Sequence, residues 1–140
     1  MSELPPRPLP VPNADTAPFW DGCARGELLL QSCRHCGAAQ FPPRSLCARC
    51  HAPAPVWRRA SGRGRIASFT RVHRPPSAAF KADLPYVIAL VDLDEGPRIM
   101  LALHGKAAEA PRIGDRVRVG FDPPAGPHGI ALPHALAEEP

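Results

Sequence analysis

Between Glu27 and Phe121 the apolar positions fall in short runs broken by turn residues, a pattern of strands rather than helices. The runs cover residues 28–32, 56–60, 65–73, 86–93, 98–103 and 116–121. Ser61-Gly62-Arg63-Gly64, Asp94-Glu95-Gly96-Pro97 and Ile113-Gly114-Asp115 supply turns between them. Residues 86–91 are apolar at nearly every position, which suits a strand covered on both faces, whereas Arg116-Val117-Arg118-Val119 alternates like a strand with one wet face. Five of the runs lie in residues 56–122, which predicts a five-stranded Greek-key OB barrel there, with an SH3-like barrel as the competing reading. The connection 74–85 is too long for a tight hairpin and is expected at the barrel mouth, where such barrels carry ligand loops.

Periodicity is missing at both ends. Residues 1–14 contain Pro5, Pro6, Pro8, Pro10 and Pro12 and read as a solvated extended arm, and residues 123–140, with five prolines, Gly126 and Gly129, read as a partly disordered tail. Residues 15–55 form the unit between arm and barrel. It opens with a short helix: Asp15 or Thr16 can cap it, Pro18 fits its first turn, and Gly26 can end it. Phe19, Trp20 and Cys23 share one face of that helix. Phe19 and Trp20 either clasp the helix to its own domain or present an aromatic anchor to a partner protein.

Composition narrows the class. Twenty prolines and 11 glycines in 140 residues exclude a helical bundle. The net charge of +4 can steer a phosphate-bearing ligand but is too small for a protein that coats nucleic acid. The sequence has no apolar run long enough for a membrane helix and no signal-peptide core at its start, so a cytoplasmic location is expected. In a reducing compartment, five cysteines point to metal or thiol chemistry rather than disulfides.

The strongest signal is Cys33-Arg34-His35-Cys36-Gly37 followed by Cys47-Ala48-Arg49-Cys50-His51. Two C-x2-C knuckles can close a tetrahedral tetrathiolate site, and four thiolates leave zinc no open position, so the ion is structural and not catalytic. Iron fits the same cage chemically, which leaves an electron carrier as one alternative; red ferric absorption would reveal it. His35 and His51 read as exposed histidines, and Cys23 as a small helix-face residue.

Together, Phe19-Trp20, Leu28-Leu29-Leu30-Gln31, Cys33-x-x-Cys36-Gly37, Phe41-Pro42-Pro43-Arg44, Cys47-x-x-Cys50, Ser61-Gly62-Arg63-Gly64, Ser68-Phe69-Thr70, Pro85-Tyr86-Val87, residues 91–96 and Ile113-Gly114-Asp115 resemble a family of acyl-CoA-associated proteins. Members of that family join a rubredoxin-like zinc ribbon to an OB-fold. Ala48 stands where the family often has proline. The resemblance implies a non-catalytic subunit that forms a hetero-oligomer with a thiolase-like acyltransferase or aldolase, or with a hot-dog hydratase. It also implies a barrel that meets the CoA thioester, in lipid, steroid or polyketide-type acyl metabolism.

Binding CoA takes cationic donors, an apolar wall and a groove. Gly62-Arg63-Gly64-Arg65 offers backbone N–H groups and two guanidiniums, and Arg71, His73, Arg74 and Lys81 cluster at a strand end and the loop after it. The plain alternative for both groups is solvated charge. A catalytic set is not visible: Asp92 and Asp94 sit beside a turn, and no nucleophile is spaced to match His73 and Asp83. The competing function is a single-stranded nucleic-acid module, since zinc ribbons and OB barrels both bind strands through basic grooves and stacking aromatics.

Overall fold

The computed structural model describes residues 6–139; the first five positions of the predicted arm and Pro140 lie outside the described residues. Helix α1 spans Ala17–Ala24, with Pro18 in its first turn as expected. Thr16 precedes it without a side-chain cap. Asn13 organises the entry instead: its Oδ1 accepts from the Asp15 and Thr16 N–H groups, both at 2.9 Å.

Three strands make the ribbon sheet: β1 (Leu29–Ser32), β2 (Ala39–Gln40) and β3 (Val56–Arg59), in the order β2-β1-β3, all antiparallel. The barrel has five strands, β4 (Arg63–Val72), β5 (Tyr86–Leu93), β6 (Arg98–Leu103), β7 (Arg116–Phe121) and β8 (Pro133–Ala137), closed in the order β4-β5-β6-β8-β7. A four-residue helix α2 (Lys106–Glu109) lies between β6 and β7. The order first-second-third-fifth-fourth, with the third and fifth strands parallel, is that of an OB-fold.

The predicted strand count holds, but two assignments change. Residues 56–59 pair with β1 and belong to the ribbon, so the barrel begins at Arg63. The fifth barrel strand is β8, inside the segment read as a tail; it pairs with β7 over five positions and with β6 over two. Pro133 does not oppose this, because proline is tolerated at the first residue of a strand.

On β5 the buried residues are Val87, Ala89, Val91 and Leu93, and the alternate positions are half-buried. The apolar run thus serves one barrel interior and a second face only partly covered. Gly64 permits the tight approach of β4 to β5, since a Cβ there would lie 2.5 Å from the Asp92 carbonyl oxygen. Ribbon and barrel share a core: Phe19, Leu28 and Leu30 belong to the same buried cluster as Ile66, Val91, Leu101 and Val117. Among the described residues, no helix is long and apolar enough to cross a membrane.

Candidate functional site: a four-cysteine metal centre and a groove beside the barrel

Each C-x2-C segment folds into the same knuckle. The N–H groups of His35 and Cys36 donate to the Cys33 sulfur at 3.3 and 3.4 Å, and those of Arg49 and Cys50 donate to the Cys47 sulfur, both at 3.4 Å. Gly37 turns the first knuckle at φ +76°; His51 holds the equivalent place in the second at φ +64°, unusual for a residue with a side chain.

All four sulfurs lie within 4.8 Å of one another, with Cys33 to Cys50 at 3.5 Å and Cys36 to Cys47 at 3.6 Å. The Cys50 and Arg49 N–H groups pull the Cys47 thiol down to about 6. Although the Ala52 N–H acts to lower it, desolvation and three neighbouring sulfurs push Cys50 up to about 12. Four thiolates this close repel one another unless a cation sits among them, so the donor set fits a structural zinc ion held by Cys33, Cys36, Cys47 and Cys50. Bound there, the ion would tie the two knuckles together and offer no position to substrate. Cys23 lies outside the site; burial pushes its thiol up to about 12, which leaves it inert.

Two glutamines support this centre, a role that no spacing in the sequence signals, although Gln31 stands in the motif that carries the family resemblance. Gln31 is buried; its Oε1 accepts from the Arg44 N–H at 2.8 Å and from Gln40 Nε2 at 2.7 Å, while its Nε2 donates to the Arg44 carbonyl at 2.8 Å. Gln40 in turn accepts from the Ala48 N–H at 2.8 Å and donates to the Leu46 carbonyl at 3.1 Å. The loop carrying the second knuckle is thereby tied to β1 and β2.

A groove of about 760 Å³ runs between strands β5, β6 and β8, the 3-10 helix Ala78–Asp83 and the N-terminal arm. Tyr86, Ile88, Met100 and Leu132 give it apolar wall, and Arg7, Arg71, His104, Asp122 and His134 bring polar groups to its lining. The arm is not free in solvent here: Arg7 pairs with Asp83 and lies over the Phe80 ring, its Cζ 4.8 Å from the ring centroid.

The six predicted ligand residues lie in the two groups the sequence suggests, at opposite ends of β4. Arg63 and Arg65 stand at one end of β4 and Arg71 near the other, at most about 20–26 Å away at the rise of a strand. Arg63 pairs with Glu138 at 3.5 Å, and Arg65 donates to the Gly114 carbonyl at 3.3 Å, so both guanidiniums at the start of β4 already have partners within the chain. Arg71 lines the groove and donates to the Ala108 carbonyl at 3.4 Å, while His73, Arg74 and Lys81 are exposed. Asp92 and Asp94 are bound by guanidiniums, from Arg98 at 2.6 and 3.1 Å and from Arg116 at 2.7 and 3.0 Å. Those bonds hold both carboxyls below their usual range, which suits ion pairs and not proton transfer.

The aromatic pair also divides. Phe19 is 3% exposed and packs on Phe41 with ring centroids 5.2 Å apart, so it is core and cannot face a partner. Trp20 is half-buried against the same core and stacks edge-on to Phe19 at 4.9 Å.

A tetrathiolate ribbon continuous with an OB barrel defines a class of zinc-ribbon/OB proteins. Within it, the family models for the ChsH2 rubredoxin-like zinc ribbon domain and the ChsH2 C-terminal OB-fold domain match residues 20–56 and 57–122. The chain belongs to this ChsH2/DUF35 family.

It is 35% identical over 108 residues to a probable enoyl-CoA hydratase alpha subunit of Thermomonospora curvata, covering 77% of the chain and 33% of that protein. It is 36% identical over 121 residues to the 3-oxo-4,17-pregnadiene-20-carboxyl-CoA hydratase alpha subunit of Mycobacterium tuberculosis, covering 80% of the chain and 35% of that protein. The chain therefore spans about a third of the length of these two relatives. A DUF35 domain-containing scaffold protein of Methanothermobacter thermautotrophicus is 34% identical over 69% of the chain and 73% of its own length. Among solved structures, a chain of the "Ltp2-ChsH2(DUF35) aldolase" superposes with a TM-score of 0.79 at 32% identity, over 92% of this chain and 98% of that one.

Proposed function

We propose that this chain is a non-catalytic accessory subunit that docks on a thiolase-like acyltransferase or aldolase, or on a hot-dog hydratase, and helps hold an acyl-CoA thioester. The observation that carries this reading is the match to nearly the whole length of a chain in the Ltp2-ChsH2(DUF35) aldolase. Steroid side-chain thioesters are the favoured substrate class, because one hydratase relative is named for a pregnadiene-carboxyl-CoA.

The groove supplies a rationale for the ligand. Its apolar wall of Tyr86, Ile88, Met100 and Leu132 suits the acyl and pantetheine portions. Arg71 offers a guanidinium to a phosphate, with Arg74 and Lys81 exposed on the segment that follows β4. The single-stranded nucleic-acid alternative is disfavoured, because Phe19 is buried and Trp20, Phe41, Trp57 and Phe121 pack against the core instead of forming a stacking surface.

Calorimetry with a short acyl-CoA, on the zinc-loaded chain with and without its enzyme partner, tests the ligand reading. Losing a charge-assisted bond to phosphate costs about 1.5–3 kcal/mol, so Arg71→Ala should weaken binding by about 10- to 100-fold, while Arg63→Ala should leave it unchanged. Equal effects of the two substitutions, or no binding heat in either state, would count against it.

A further inference from the structure

We infer that His104, Asp122 and His134 form a second metal site, one for a divalent transition ion of the zinc, cobalt or nickel class. The inference stands independently of the acyl-CoA reading.

The three donors come from separate parts of the chain and meet because of the barrel closure. His134 lies on β8, where the parallel pairing with β6 sets it opposite Ala102. His104 follows β6 directly, fixed by a bond from its N–H to the Ala135 carbonyl at 2.9 Å. Asp122 follows β7, fixed by its N–H to the Leu132 carbonyl at 2.9 Å. Backbone hydrogen bonds thus hold all three positions before any ligand arrives.

One donor atom from each residue lies within 4.8 Å of the others. His134 Nδ1 is 2.6 Å from Asp122 Oδ1, and the two imidazole rings stack with centroids 4.2 Å apart at 22°. An ion entering here replaces the proton between Nδ1 and Oδ1 and holds each donor at about 2.0–2.2 Å. The lone pairs of stacked rings run nearly parallel, so His104 must turn out of the stack to complete the set; it is exposed and has room to turn. Gly120 leaves space for the His134 ring, since a Cβ at that position would lie 2.7 Å from Nε2.

Two imidazoles and one carboxylate favour borderline transition ions over calcium or magnesium. Three protein donors also leave coordination positions open, and the cluster lines the 760 Å³ groove. This site therefore differs in kind from the closed four-sulfur centre.

The test is equilibrium dialysis of the zinc-loaded full chain against cobalt(II), with metal analysis and visible spectroscopy. The chain should take up one further ion, with weak visible bands and no intense sulfur-to-metal charge transfer. His104→Ala and Asp122→Asn should each abolish that uptake while keeping the first ion and the native circular dichroism. No second ion at saturating cobalt, retention of the second ion by both variants, or charge-transfer bands from the second ion would each overturn the assignment.

Discussion

Replacing Gln31 with leucine keeps the volume of a buried side chain and removes all of its hydrogen bonds. Gln31 is 5% exposed and makes three bonds, two to the Arg44 backbone and one to Gln40. In Gln31→Leu the Arg44 N–H and carbonyl lose the buried partner that ties their exposed loop to β1, and Gln40 loses the group that orients it. At about 1 kcal/mol for each bond lost, and somewhat more where water cannot substitute, the expected destabilisation is about 2–4 kcal/mol. With an unfolding entropy near 2.1 cal/mol/K per residue, a chain of this size should lose about 7–14 °C in Tm. The loop carries the second knuckle, so folding and metal retention are linked, and the variant should release zinc to a competing chelator more readily. Thermal melts in zinc-containing buffer, paired with chelator competition, give both readings. A Tm and a zinc release indistinguishable from the unmodified protein would refute the view that Gln31 holds the knuckles in place.

Three further outcomes follow from the fold. Gly64→Ala should cost about 1–3 kcal/mol or more, read as a lowered urea midpoint, because the new methyl meets the Asp92 carbonyl at 2.5 Å in a strand that cannot shift cheaply. Ending the chain at Asp122 removes β8 and leaves β6 and β7 without their shared neighbour, so the truncated protein should show no cooperative melt. Asp94 is held below its ordinary value of 3.8 by Arg116, so its contribution to stability is complete above that pH and fades as pH falls through the lower folded value. Asp94→Asn should therefore flatten the acid limb of a stability-versus-pH curve; an unchanged limb would mean that the pair has no thermodynamic effect.

The knuckles and the barrel class were legible in the sequence because both signals are local. Two cysteines three positions apart declare a turn around an ion, and short apolar runs between turns declare strands. Which strands neighbour each other is a non-local fact. The run at 56–59 reads equally well in either sheet, and only its pairing with Leu29–Ser32 assigns it to the ribbon. Pro133–Ala137 sits in proline-rich surroundings that suppress any strand signal, yet it closes the barrel. The candidate site divides along the same line. The four thiol ligands are named by spacing, whereas His104, Asp122 and His134 come together through a parallel pairing that no window of sequence records. The two predicted cationic groups are separate for the complementary reason: Arg63 and Arg65 start the extended strand that Arg71 nearly ends, and ten residues of strand carry them apart.

The proposed role of this zinc-ribbon/OB chain is that of a subunit in a larger acyl-CoA enzyme. Size-exclusion chromatography with light scattering, on the zinc-loaded chain co-expressed with a thiolase-like aldolase or with a hot-dog hydratase, measures that directly. One of the two pairings should give a single peak containing both proteins, with a mass equal to a whole-number hetero-oligomer. Two separate peaks in both pairings, each at the mass of one protein alone, would contradict that role.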